Sequence, residues 1–185
     1  MRALQQAHPQ QGVAWWATDQ HRIGRKPIRR RVWSPRGQRP AAVVQQRYPW
    51  CYLYACVPPR TGRTWWLWLP TVSRAALMTA LVECAHAVGA GQGQPSLLGL
   101  ARAGWHVSPQ VQVPAGIHLH CLPPYSPELP PAERLWPLTN AALANRHFRD
   151  ADELQTVQAH RCLPLQARPE IIEAQTCLHW WPHTG

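Results

Sequence analysis

The sequence predicts an α/β fold, a mixed sheet covered by helices. Three observations carry this prediction. The first third of the chain alternates apolar and polar residues in short extended runs. The period changes to that of a helix just after Ser73, and two short apolar runs are followed by further helical stretches. At 185 residues and 45% hydrophobic composition, with eleven Trp to give it bulk, the chain can bury a core of its own. Twenty Pro residues break it into short elements.

Residues 1–12 are polar and Gln-rich and are expected to form a disordered tail, leaving 13–185 as one domain. Residues 13–19 read as a strand ending in Asp19. The run Ser34-Pro35-Arg36-Gly37 is a turn signal between two extended stretches. Residues 41–46, 50–57 and 64–69 read as strands, with Thr61-Gly62 at the hairpin between the last two. Ser73 can cap a helix over 74–88, in which Leu77, Leu81, Ala85 and Val88 form one apolar stripe. Gly89, Gly91 and Gly93 end it. Short buried strands are expected at 96–100 and 117–121. A Pro-rich passage then leads into a helix from Pro131 to about Ala144, where a first-turn Pro is tolerated. Two more helices, at about 150–162 and 168–178, close the chain.

Charge and cysteine usage narrow the function classes. The formal net charge is +10, and residues 1–63 hold twelve of the nineteen basic residues against one acid, Asp19. The cluster Arg22, Arg25, Lys26, Arg29, Arg30, Arg31, Arg36 and Arg39 is dense enough to attract a polyanion, and arginine suits bidentate phosphate contacts. A solvated arginine-rich surface is the plainer reading of the same residues. No apolar run approaches the roughly 20 residues of a membrane span, and the start of the chain lacks the apolar segment of a secretion signal. A cytoplasmic protein with no membrane partner is the default. None of the six Cys forms a C-x-x-C pair, so zinc-ribbon spacing is absent. Cys84 and Cys121 read as small core residues, and His118 and His120 share a strand face that Cys121 does not.

Two carboxylates stand in motifs. Asp19 ends the apolar run Trp15-Trp16-Ala17-Thr18-Asp19, followed by Gln20-His21-Arg22-Ile23-Gly24. Glu133 ends Pro124-Tyr125-Ser126-Pro127-Glu128-Leu129-Pro130-Pro131-Ala132-Glu133. Between them lies Leu97-Leu98-Gly99-Leu100-Ala101-Arg102-Ala103-Gly104-Trp105-His106. Together with Arg31-Val32-Trp33-Ser34-Pro35-Arg36-Gly37, these motifs resemble the catalytic domain of a DDE transposase of the mariner-related bacterial insertion-sequence type. The resemblance runs from about residue 14 to the C-terminus. It implies an RNase H-like fold, three antiparallel strands followed by alternating strands and helices. It also implies metal-dependent DNA strand cleavage and transfer in transposition. In such sites two divalent ions, Mg²⁺ or Mn²⁺, lie roughly 4 Å apart and stabilise the attacking and leaving oxygens. By position, the metal-holding and catalytic roles fall to Asp19, residue 101 and Glu133.

The chain departs from that pattern at its centre. Residue 101 is Ala, whose methyl group cannot coordinate a hard cation, and no Asp or Glu occurs from 84 to 127. His106 is a poor Mg²⁺ ligand, and Glu128 belongs to the turn motif. Gln20 stands where the family usually has a second acid. Pro130 replaces the usual Asn, and Gly99 weakens a central strand. The chain is therefore expected to be catalytically degenerate, with metal binding in doubt. The helix-turn-helix region that normally precedes the domain is expected to be absent. The implied partners are DNA and either a second copy of the chain or a separately encoded DNA-binding half. A weak residual nicking enzyme and a non-enzymatic nucleic-acid-binding module derived from a transposase are the alternatives. Trp33, Trp105 and Trp136 read as packing residues. Trp105 is the best exception, because its Gly-Trp-His loop, with His106, should face the site.

Overall fold

The computed structural model describes residues 12–24, 28–39, 50–91, 95–126 and 128–181. The expected tail 1–11, the strand at 41–46, Arg25, Lys26 and Gly93 lie outside the described residues. Five strands form one sheet: β1 (Ala14–Gly24), β2 (Trp50–Val57), β3 (Trp65–Leu69), β4 (Ser96–Leu100) and β5 (Ile117–Cys121). Their spatial order is β3-β2-β1-β4-β5. The β1–β2 and β2–β3 pairs are antiparallel, whereas β1–β4 and β4–β5 are parallel. The RNase H-like expectation therefore holds.

The parallel half needs a crossover, and helix α1 (Arg74–Val88) supplies the one from β3 to β4. The Ser73 side chain accepts from Ala76 N–H at its start, and Gly89 closes its end in the left-handed region. Leu77, Leu81, Cys84 and Ala85 pack with Cys56, Leu98 and Ile117 beneath one face of the sheet. A Cys56–Cys84 disulfide, with Cα atoms 6.4 Å apart, ties β2 to α1. Cys84 is thus buried as expected and also covalently paired, which no spacing rule signals. Cys121 is only half-buried.

The opposite face carries Trp15, Ala17, Leu53, Ala55, Val57 and Leu97. It is covered by the C-terminal elements through Ala132, Leu135, Trp136, Leu154, Cys162, Leu165, Ile172 and Trp181. These elements are a 3₁₀ turn (Pro131–Leu135), α2 (Trp136–Asn140), α3 (Ala151–Gln166) and α4 (Pro169–Thr176). All five residues of β4 are buried, as a central strand covered on both faces requires. At Gly99 a Cβ would lie 3.5 Å from the Trp181 ring, an ordinary contact, so packing does not require glycine there.

Several boundaries differ from expectation. β1 does not stop at Asp19: Gln20–Gly24 continue it by pairing with Trp50–Tyr54, so the carboxylate lies mid-strand. The single helix expected from 131 to 144 is a 3₁₀ turn, a five-residue helix and a run of turns. Pro137, seven residues into the expected helix, cannot donate to the Glu133 carbonyl, which interrupts one continuous helix. Around Arg36-Gly37 the turn is present, with Gln38 N–H donating to the Pro35 carbonyl at 3.0 Å. The described residues flanking it form no strand. α3 extends four residues past 162, and Pro164 sits in its last turn.

The β2–β3 hairpin docks on α4 through Gly62. Its φ is +64°, and a Cβ there would fall on the Pro169 carbonyl and close to Glu173 N. Gly62→Ala is expected to lower unfolding free energy by about 2–4 kcal/mol, because backbone strain and a backbone clash add. Gly104→Ala, where a Cβ meets nothing within 4 Å, should change stability by less than about 0.5 kcal/mol. Urea titration of both variants checks the contrast.

Candidate active site

β1 and β4 run parallel with Ala17 opposite Gly99. Two residues further along that register, Ala101 comes level with Asp19, on the same face of the sheet. That face is roofed by the Pro131–Leu135 turn, anchored by the fully buried Ala132 and Leu135. Anchoring those two leaves Glu133 on the part of the turn turned toward Asp19. Asp19 and Glu133 thus lie near one another, and the strand register carries Ala101 toward the same edge of the sheet.

Trp136 follows Glu133 by three residues, which places both on neighbouring positions of one helical face. Its indole Nε1–H donates to Asp19 Oδ2 at 2.8 Å. His21, two residues along β1 and hence on the face of Asp19, stacks on that indole at 5.0 Å and 12°. The His21 Nε2–H is held by the Asn140 side-chain oxygen at 3.1 Å. Sequence reasoning did not assign His21, Trp136 or Asn140 to the site. The spacing from Glu133 to Trp136 and the strand alternation from Asp19 to His21 were the available signals.

Burial raises the Asp19 carboxyl pKa to about 6. The Trp136 and Gln20 hydrogen bonds oppose the shift, and the nearby Glu133 charge adds to it. Glu133 is also raised, first by burial and then by Glu128. Burial lowers His21, with the Asn140 bond opposing, so the imidazole stacked in this site is neutral near pH 7.

Ala101 follows directly on β4 and is half-buried. His106 folds back onto it, donating from Nδ1 to the Ala101 carbonyl. The ring is buried, its Nε2 has no hydrogen-bond partner among the described residues, and burial lowers its pKa. Trp105 packs edge-to-face on His106 at 5.7 Å. The Gly-Trp-His loop therefore sits beside the triad position that has no carboxylate. Arg102 is exposed. Among the described residues, no group of three or more His, Cys, Asp or Glu is arranged to hold a metal ion. The donors present do not fit a pair of divalent cations: residue 101 has no side-chain oxygen, its carbonyl is taken by His106, and Asp19 Oδ2 is engaged by an indole.

The basic residues divide by role. Arg29, Arg31, Arg36 and Arg39 are exposed. Arg22 lies over the Trp50 ring at 4.4 Å. Arg30 departs from the expected phosphate-binding set: its guanidinium donates to the Pro137 carbonyl at 2.8 Å. Its backbone N–H and carbonyl also pair with the two ends of the Asn145 amide. Asn145 N–H further bonds the Ile28 carbonyl. Arg30 thus straps the basic segment onto the turns that follow Glu133 and Trp136, on the Asp19 side of the molecule. Trp33, expected to pack, is fully exposed beside these arginines, whereas Trp136 is buried as expected.

Asp19 provides a pH test. Its folded-state pKa lies above the unfolded value of 3.8. Its stabilising contribution is therefore fully present below pH 3.8 and is lost as pH rises through about 6. Asp19→Asn keeps an acceptor for Trp136 and removes the buried charge. The variant should match the parent near pH 4 and exceed it at pH 7 by at most about 3 kcal/mol, less where water reaches the exposed edge of the carboxylate. Urea unfolding at both pH values checks this, and a pH-independent difference would contradict the assignment of the shift.

A family model described as DDE superfamily endonuclease matches residues 14–155, from β1 into α3. An uncharacterized protein of Sinorhizobium fredii, y4pE/y4sA, is 40% identical over 108 residues, which is 58% of this chain and 78% of that protein. Among solved structures, the Mos1 mariner paired-end complex with Mn aligns at a TM-score of 0.60 with 16% identity. The match covers 90% of this chain and 56% of the Mos1 chain. A pre-cleavage Mos1 transpososome gives a TM-score of 0.58, with 15% identity and coverage of 90% and 57%. The chain thus spans little more than half the length of the Mos1 chains, and at these identities the likeness is one of fold. With three-quarters of its length inside the family match and the two carboxylates of the family motifs brought to one place, the chain belongs to the DDE superfamily endonuclease family.

Proposed function

We propose that this chain is a transposase-type DDE domain that binds DNA through its arginine segment and is catalytically degenerate. The observation that carries the reading is Ala101, level with Asp19 in the β1–β4 register and under the turn that bears Glu133. A site that needs three carboxylates for two cations has two, and one of these already accepts a bond from Trp136. The fold supports the same reading, since the Mos1 structures that share it are of transposon-end and strand-transfer complexes, some with Mn or Mg.

Duplex DNA is the partner in this reading, with a second copy of the chain or a separately encoded DNA-binding half completing the assembly. No helix among the described residues is long and apolar enough to cross a membrane, which accords with a cytoplasmic setting. The chain's own residues have three roles. Arg29, Arg31, Arg36 and Arg39 meet phosphates, Arg30 holds that segment beside the site, and the network around Asp19 keeps the former metal position packed.

Duplex binding should weaken steeply with salt and be unchanged by EDTA. Replacing Arg29, Arg31, Arg36 and Arg39 by Gln should reduce the slope of log K against log salt by roughly 3–4, about one for each phosphate no longer neutralised. Fluorescence anisotropy across a salt series reads both. A salt-independent affinity would remove the electrostatic part of the proposal, and loss of binding in EDTA would argue for a metal held at Asp19 and Glu133.

A further inference from the structure

A cavity of about 580 Å³ lies on the face of the sheet opposite the Asp19 site. It opens between the first part of β1, the start of β3, the C-terminal end of α1 and the N-terminus of α4. Trp16 and Trp65 line it, and both pack against the Leu77–Leu98 cluster on that face. Arg63 and His86 stand at its exposed rim. Neither side chain makes a hydrogen bond or ion pair among the described residues. No Asp or Glu lines the cavity. On the first turn of α4, Glu170 is turned to Arg168 at 3.1 Å. The first turn of α4, which begins at Pro169 on the wall, carries no side-chain cap.

We propose that this cavity is a second nucleic-acid site that takes one unpaired nucleotide, its base against the indoles and its phosphate at Arg63 and His86. The volume lies in the range of small-molecule sites and exceeds what one phosphate needs. Indole faces accept any base by stacking, and cations at the rim supply the anion contact. Asp19 is three residues from Trp16 and points to the other face, so the cavity is separated from the triad positions by the thickness of the sheet and roughly 10 Å along the strand. It cannot be a subsite of the same centre. The inference deepens the nucleic-acid reading above, with the unpaired strand end of a DNA and a free mononucleotide as the two sources of the same chemistry.

The test uses the full chain, the rim variant Arg63→Gln/His86→Asn, and the arm variant with Arg29, Arg31, Arg36 and Arg39 changed to Gln. The rim residues are exposed, so the rim variant should fold like the parent. Titration calorimetry measures binding of deoxyadenosine monophosphate, inorganic phosphate, a blunt duplex and a duplex with a short single-stranded overhang. The expected result is that the mononucleotide and the overhang bind, and that the rim variant weakens both on the order of tenfold while leaving the blunt duplex unaffected. The arm variant should weaken both duplexes and leave the mononucleotide unaffected. In the arm variant, preference for the overhang over the free mononucleotide identifies the source as a strand end, and equal affinity identifies a mononucleotide site. Phosphate binding as tightly as the mononucleotide would overturn the proposal, because the indoles would then have no role. An unchanged rim variant would overturn it as well. If only the blunt duplex binds, through the arm, the cavity proposal fails while the main reading stands.

Discussion

The parallel pairing of β1 with β4 is the constraint on which the rest of this site depends. It fixes residue 101 beside Asp19 regardless of what residue 101 is, because the register is set upstream by Ala14–Ala17 against Ser96–Gly99. The α1 crossover makes that pairing possible, and the buried run of β4 holds it between two apolar layers. The Pro131–Leu135 turn then needs only two buried anchors, Ala132 and Leu135, to set Glu133 over the same point. The positions proposed for the three carboxylates are therefore set by the fold and not by the side chains that occupy them. Fold and chemistry are separable here because none of the side chains that make the register belongs to the triad.

What remains in the site is a packed polar cluster rather than an open ligand set. An enclosed carboxylate is costly, and burial raises the Asp19 pKa to about 6 for that reason. Trp136 offsets part of it with one hydrogen bond, and the stacked His21 and its Asn140 partner fill the space around the indole. The Ala101 carbonyl holds the buried His106 ring beside that position. The basic segment is tied to the same region through Arg30 and Asn145. The exposed arginines and the Asp19 network thus share one side of the molecule.

Much of this was legible in the sequence, for identifiable reasons. Ser73 and Gly89 marked α1 to the residue, because capping chemistry is local. Strands β2 to β5 came within a residue of their positions because their apolar runs are bounded by turn residues. The grouping of Asp19, Ala101 and Glu133 as triad positions came from motifs rather than from periodicity, since no local pattern reports on a distant strand. The extension of β1 to Gly24 was missed because Gln20, His21 and Arg22 are polar, and only pairing with β2 reveals them as strand. The structural task of Arg30 was hidden because a run of arginines looks uniform until one of them meets a carbonyl. The cavity behind the sheet was equally hidden, since Trp16, Arg63 and His86 belong to three separate elements.

The most direct measurement is nicking of supercoiled plasmid in Mg²⁺ and in Mn²⁺ by this chain, by Ala101→Asp and by Ala101→Asp/Glu133→Gln. Position 101 is already level with Asp19, so the account predicts that the single variant nicks while the parent and the double variant do not. Nicking by the parent at the rate of the single variant would contradict it, because the chain would then hold a working centre that does not need a carboxylate at residue 101.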